Sequence, residues 1–182
     1  MHEECSSDYV NVENGLRITV GQPESYRRTI HIYGRCGAFG YAVEDAHTIP
    51  SFLQKNLIQQ GFKDVRVVNH GLWGGEDIFI DHNFLQDAMG FKEGDIVVFY
   101  RKHFPMKLME HFISHGVRYK DITAAWHKGH DADKRIAFFN QPGHMNSYGY
   151  ELVARIITDN LIATGCFEEP KALNRQSVVR VD

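Results

Sequence analysis

Apolar and polar residues alternate through residues 9–20, YVNVENGLRITV, on either side of Asn14-Gly15. That alternation is the period of a half-buried strand, and Asn-Gly suits the two positive-φ positions of a type I′ turn, so the segment predicts a β-hairpin. A polar connector, residues 22–28, leads into TIHIY at 29–33, a short, largely apolar run that predicts a central strand. From Thr48 the period changes to that of a helix. Thr48 is placed to cap it, Pro50 falls in the first turn, Ile49, Phe52, Leu53 and Leu57 share a face, and Gly61 ends it. A second strand is predicted at 64–69, DVRVVN, followed by a glycine-rich loop, HGLWGGED. Residues 77–89 predict a helix stopped by Gly90, and DIVVFY at 95–100 a third buried strand. Further on, 106–114 predict a helix with Pro105 near its start, and 121–125 and 135–139 two more strands. Residues 147–163 predict a strongly amphipathic helix with Leu152, Val153, Ile156, Ile157 and Leu161 on its apolar side. Residues 165–182 are polar, and no internal repeat or low-complexity segment is present.

Strands alternating with helices predict an α/β fold whose parallel sheet is covered on both faces. Sites in such sheets lie at the carboxyl ends of strands. The loops 34–40, 70–76 and 101–105 are therefore the places to look for chemistry, with 140–146, which precedes the last helix. The chain has 182 residues, enough for one domain with a real core and no metal or disulfide staples. We read residues 1–182 as that single domain, with 1–28 an N-terminal hairpin extension and 165–182 a C-terminal tail.

Composition narrows the function classes. Hydrophobic residues are 43% and charged residues 24%, with a net charge of −3. An acidic balance argues against a general nucleic-acid binder. No apolar run approaches a membrane span, and the acidic, polar start MHEECSSDY does not read as a signal peptide. Cys5, Cys36 and Cys166 are odd in number and widely spaced, which suggests neither a disulfide framework nor a CxxC zinc site. Free thiols and a cytoplasmic location are expected. No cofactor is expected either, since the chain has no GxGxxG or Walker pattern. His127-Lys128-Gly129-His130-Asp131 lacks the HExxH spacing and a cysteine pair, so no metal is expected there. The Glu44-Asp45 pair precedes a helix, where carboxylates suit the positive end of the dipole.

Three segments carry candidate chemistry. Gly34-Arg35-Cys36-Gly37 stands where a strand gives way to a turn. A nucleophile needs such a turn, which exposes its side chain and lets its backbone N–H stabilise an oxyanion. A thiol also needs an imidazole or positive charge nearby to become thiolate, and Arg35 is adjacent. The same cysteine equally fits a small buried side chain filling the turn. His144, in FFNQPGHMNSYGY, sits on a loop shaped by Pro142 and Gly143, a perch suited to a general base or simply to a solvent-facing histidine. In Asn69-His70-Gly71-Leu72-Trp73-Gly74-Gly75 the glycines allow close approach of backbone N–H groups to a ligand, and they also serve a long turn. Phe39, Tyr41 and Trp73 near these loops are candidates for lining a substrate pocket or for packing in the core.

Taken in order, these segments resemble the SGNH (GDSL-type) hydrolase superfamily. The similarity is to a subgroup reading roughly GDSxxxGxGVxDxxTxPxxL, then VVNxGxxG, then a late DxxHxNxxG before a final helix. The corresponding stretches are GRCGAFGYAVED from Gly34 with TIPSFL from Thr48, VVNHGLWG from Val67, and QPGHMNSYGY from Gln141. Together they span residues 29–163. The resemblance implies a three-layer α/β/α sandwich with a central parallel sheet, flavodoxin-like in outline, and acyl-ester or thioester chemistry. It places Cys36 at the nucleophilic serine, Gly74 at the oxyanion glycine and His144 at the catalytic histidine.

The chain departs from the pattern at four signature positions. Cys36 replaces the serine and Arg35 the aspartate before it, Gln141 stands where the aspartate preceding the histidine is found, and His103 falls nearest the third-block asparagine. One reading is a Cys–His acyl enzyme, because thiol and imidazole lie closer in pKa than hydroxyl and imidazole and depend less on a carboxylate. Gln141 or Asn140 would orient His144, as amides do in other Cys–His enzymes. The Cys36 and Gly74 N–H groups, with His103, would form the oxyanion hole. The substrate is then an acyl-bearing small molecule or an acyl carrier protein. The other reading is a scaffold that has lost catalysis and binds such a ligand or carrier.

Overall fold

The computed structural model describes residues 2–74, 76–100 and 144–168, together with the backbone of 139–141. The hairpin forms as expected. Strands β1 (Val12–Glu13) and β2 (Leu16–Arg17) are joined through Asn14 at φ 54 and Gly15 at φ 74, the pair of positive-φ residues that matches strand twist. Strand β3 (Arg28–Gly34) is fully buried and central, with β4 (Val65–Gly71) and β5 (Ile96–Tyr100) parallel on its two sides. The spatial order is β1-β2-β4-β3-β5.

The three central strands are parallel, as expected, and the hairpin adds an antiparallel edge to them. The hairpin is not an appendage. Strand β2 joins β4 antiparallel, with Arg17 opposite Asn69, so the five-stranded sheet is mixed. The strands of a two-residue hairpin are too short to be stable alone, and the Arg17 contacts described below anchor this one.

Four helices accompany the sheet among the described residues: α1 (Cys36–Phe39), α2 (Ile49–Gln59), α3 (Asp77–Asp87) and α4 (Ser147–Ala163). Thr48 caps α2 by accepting the Ser51 N–H at 3.2 Å, and Asn146 caps α4 by accepting the Gly149 N–H at 3.1 Å. The chain moves one way across the sheet from β3 through α2 to β4, then back over β3 through α3 to β5. Helices α2 and α3 pack on different sets of strand residues. Ile30, Ile32 and Val67 cluster with Leu53 and Leu57 of α2 and with Tyr150, Val153 and Ile157 of α4. Tyr33, which alternation points to the other side, clusters with Leu72, Ile80 and Phe84, and Val97 and Phe99 pack against them.

The last described elements are β6 (Phe139–Gln141) and β7 (His144–Met145), a short antiparallel pair preceding α4. The helix expected at 106–114, the strand at 121–125, residues 135–138 of the other expected strand, the His127–His130 segment and the end of the tail from residue 169 lie outside the described residues. Among the described residues no helix is long and apolar enough to cross a membrane.

Candidate active site

The site begins where β3 ends. Gly34 closes the strand in a gap that admits no side chain, since a Cβ there would lie 2.4 Å from the Tyr100 carbonyl oxygen. Arg35 is extended (φ −88°, ψ −151°) and exposed, and Cys36 then opens α1. The N–H groups of Gly40 and Tyr41 both donate to the Cys36 carbonyl at 2.9 Å, and Gly40 turns left-handed at φ 89 to end the helix. The segment is therefore a single helical turn, not an open loop, and Cys36 is a half-buried free thiol in its first turn.

Close approach sets the position of that turn. Gly37 lies under the Tyr100 ring, where a Cβ would sit 2.6 Å from a ring carbon. Gly71, at the end of β4, abuts the α1 backbone, and a Cβ there would lie 2.1 Å from the Phe39 nitrogen. The first glycine of the HGLWGG loop thus serves α1 packing, and its N–H is taken by Asn69 Oδ1. Gly74, at φ 73, is the open one, with nothing within 4 Å of where a Cβ would be.

A buried clasp holds the chain that leaves α1. Arg17 is 2% exposed and reaches from the hairpin across the sheet edge. Its Nε donates to Asp45 Oδ1 at 2.8 Å, Nη1 to the Phe39 carbonyl at 3.1 Å and Nη2 to the Val43 carbonyl at 2.7 Å. Asp45 is also bound by Asn11 Nδ2 at 2.7 Å. Asn69 Nδ2 adds a hydrogen bond to the Phe39 carbonyl at 3.3 Å, while its Oδ1 accepts the Gly71 N–H at 2.9 Å. Asp45 is therefore a partner of buried Arg17, not only a favourable charge before a helix.

His144 comes to the same end of the sheet from the other side of the chain. It is half-buried on β7, which lies against α1, and its ring is 4.5 Å from that of Tyr41. Tyr150, in the first turn of α4, is fully buried and donates to the Tyr41 carbonyl at 3.1 Å. Burial pushes its hydroxyl up to about 12, with Arg17 opposing and the neighbouring Cys36 adding to the shift, so it stays a neutral donor. No hydrogen bond joins Cys36 to His144 among the described residues; in unliganded sites such contacts are often long. Gln141 stands opposite His144 in the β6–β7 ladder, with Asn140 beside it on β6. His103 lies outside the described residues.

The aromatic candidates gather beside this turn. Trp73 is 61% exposed, nearly parallel to the buried Phe39 ring at 6.5 Å, and 6.1 Å from the Tyr41 ring. Phe39 thus belongs partly to the core, whereas Trp73 faces solvent.

A second titratable cluster occupies the opposite face of the sheet. His31 Nδ1 and His70 Nε2 are 3.0 Å apart, and His70 Nδ1 is 3.1 Å from Asp87 Oδ2, which also accepts the Tyr33 hydroxyl at 2.7 Å. The partners fix the tautomers. His70 donates from Nδ1 to Asp87, so its Nε2 accepts from His31 Nδ1. His31 Nε2 then stops 3.6 Å short of Asp95 Oδ2, beyond hydrogen-bond reach. Burial lowers both imidazoles, His70 to about 4, outweighing the pull of Asp87 on His70 and of Asp95 on His31. The unfolded chain takes up these protons near pH 6.5 and the folded chain only at lower pH. The stability from keeping them neutral is complete above about pH 6.5 and is lost as pH falls toward 4. The urea midpoint should accordingly fall between pH 7.5 and pH 5, and His70→Gln should flatten the fall. A midpoint that holds or rises over this range contradicts the assignment.

The sequence pattern does not mark Arg17, Tyr150 or the His31–His70 pair, because each makes its contacts with a distant segment. A charged residue inside an alternating hairpin was the one available signal for Arg17. No family model matches the chain, and no curated protein does.

Proposed function

We propose that the protein is an acyl transferase or (thio)esterase of the SGNH-hydrolase type, working through Cys36 and His144, and that its complete fold is the three-layer α/β/α sandwich of that superfamily. One observation carries the reading. Cys36 occupies the helical turn leaving the carboxyl end of the central strand, and His144 stands on the strand packed beside that turn. Such turns present a nucleophile.

In this reading Cys36 Sγ attacks the acyl carbonyl while His144 takes the thiol proton. The oxyanion is met by backbone N–H groups, that of Cys36, which belongs to a first helical turn whose donors lack intrahelical acceptors, and that of Gly74. His103 would add a third donor. The leaving group departs with the proton from His144, giving a Cys36 thioester. Water, an alcohol, an amine or a thiol then attacks that thioester, with His144 now acting as base. Gln141 or Asn140 orients the imidazole in place of a carboxylate. The donor is an acyl-bearing small molecule or acyl carrier protein, and the protein works in the cytoplasm without a cofactor.

The missing hydrogen bond between Cys36 and His144, together with Arg35 and Gln141 at the family's aspartate positions, favours a second reading, a binding module on the same scaffold. Alkylation separates the two. Cys36 should react with iodoacetamide at least about tenfold faster than Cys5, although Cys5 is exposed and Cys36 only half so. His144→Ala should remove that advantage. Labelling of Cys36 no faster than Cys5 would favour the binding module.

A further inference from the structure

We propose that Tyr41 is the positioning residue for the candidate base: its ring, fixed to the Cys36 turn through the backbone, holds the His144 imidazole at that turn and faces the imidazolium once the thiol proton has moved. Its consequence in the reaction rests on the Cys36–His144 reading, whereas the placement of the imidazole does not.

Tyr41 is tied to the turn that carries the candidate nucleophile. Its N–H donates to the Cys36 carbonyl at 2.9 Å, and its carbonyl accepts the Tyr150 hydroxyl at 3.1 Å. The Gly40 carbonyl before it and the Val43 carbonyl after it both accept from Arg17. Tyr150 and Arg17 are buried, so water competes little for these bonds. Two left-handed residues enclose Tyr41, Gly40 at φ 89 and Ala42 at φ 65. Glycine adopts that conformation freely, but alanine holds it only where the surroundings enforce it. The bonded carbonyls on either side supply that enforcement. The Tyr41 side chain is therefore aimed by the same backbone that places Cys36.

The ring so aimed meets His144, with the two centroids 4.5 Å apart and the planes at 45°. His144 stands on a strand of two residues, too short to hold a side chain without support from a neighbouring element. A carboxylate behind a catalytic histidine both orients the ring and favours its protonated form. An amide at Gln141 or Asn140 supplies orientation but carries no charge. The π face of Tyr41 supplies part of the second effect, because a cation within about 6 Å of an aromatic centroid is attracted to it. When the Cys36 S–H bond breaks, its electron pair stays on sulfur and the proton goes to the imidazole. Tyr41 takes no proton. It favours the state in which thiolate and imidazolium coexist.

The test compares the full wild-type chain with Tyr41→Phe, Tyr41→Leu and Tyr150→Phe, each checked for a cooperative urea transition. Protein labelled at histidine gives the ring-proton resonances of His144, identified by their loss in His144→Gln. They should move in Tyr41→Leu, which removes the π system, and stay near wild type in Tyr41→Phe. Tyr150→Phe keeps every ring but releases the Tyr41 carbonyl, so it should move them too, and it stands alone if Tyr41→Leu fails to fold. The second readout is the iodoacetamide rate of Cys36 across about pH 5–9. Tyr41→Leu should slow it about tenfold at neutral pH and shift its rise to higher pH, toward that of Cys5, while Tyr41→Phe restores both. His144 resonances unchanged in Tyr41→Leu and Tyr150→Phe would overturn the proposal, as would Tyr41→Phe losing as much as Tyr41→Leu. Resonances that move without any change in the pH profile, in a protein whose Cys36 outpaces Cys5, would overturn it as well. Wild-type Cys36 reacting no faster than Cys5 would overturn the acyl enzyme alone, and the His144 resonances would then decide the placement of the imidazole.

Discussion

Asp45→Ala should lower the unfolding free energy by about 3–5 kcal/mol, the cost of leaving a buried charge unpaired. Arg17 and Asp45 have side chains only 1% and 8% exposed, so neither charge regains water when the other is removed. The exposed Arg27–Asp64 pair, at 60% and 53%, provides the comparison, and Asp64→Ala should cost no more than about 1 kcal/mol. Arg17 does more than neutralise a carboxylate. It also donates to the carbonyls of Phe39 and Val43, on the chain that follows the Cys36 turn. Replacing the pair together, Arg17→Met with Asp45→Leu, should therefore recover only part of the loss, because the Val43 carbonyl loses its Arg17 donor and the Phe39 carbonyl keeps only the longer bond from Asn69. Urea unfolding of the variants measures both effects. A cost below about 1 kcal/mol for Asp45→Ala would mean that the clasp contributes no more than a surface pair.

Gly71→Ala should destabilise the protein by about 3 kcal/mol and should also displace the Cys36 turn. The atoms that a Cβ would meet are backbone, the Phe39 nitrogen at 2.1 Å and the Ala38 carbonyl carbon at 2.5 Å, so no side-chain rotation relieves the clash. Strand β4 and α1 must separate, which strains the Leu72 N–H bond to the Gly34 carbonyl and the Asn69 bond to the Phe39 carbonyl. Gly74→Ala is the control for crowding. It lies in the same loop but faces open space, so its cost is confined to a positive φ, about 1 kcal/mol. Denaturant midpoints and the Cys36 alkylation rate should both change in Gly71→Ala. A Gly71→Ala protein as stable as wild type would show that α1 and β4 are not in this contact.

Most of the secondary structure in the described residues was legible because its signals are local. Asn14-Gly15 marks its own turn, Thr48 and Pro50 mark the start of α2, and the apolar face of α4 repeats at helical spacing. The α1 turn was less legible because four residues are too few to show a helical period. What joins distant segments was not legible. Arg17 and Asp45 are 28 positions apart, and Arg17 is also the residue through which the hairpin pairs with β4. His31 and His70 are separated by 39 positions and meet because β3 and β4 pair in parallel. Gly71 looked like a loop glycine because its reason, the backbone of α1, lies in another segment. At the candidate site, the placement of Cys36 at the end of a strand followed from the sequence. The supporting clasp and the buried Tyr150 did not, since both depend on packing.

In the proposed reaction Cys36 forms a thioester with help from His144. The most direct measurement is intact mass after rapid acid quench of the protein with p-nitrophenyl acetate, with the modified peptide identified. One acetyl mass on the peptide containing Cys36, absent in Cys36→Ala and strongly reduced in His144→Ala, is the predicted result. Acetyl distributed over Cys5, Cys166 and lysines, with no excess on Cys36, would contradict it.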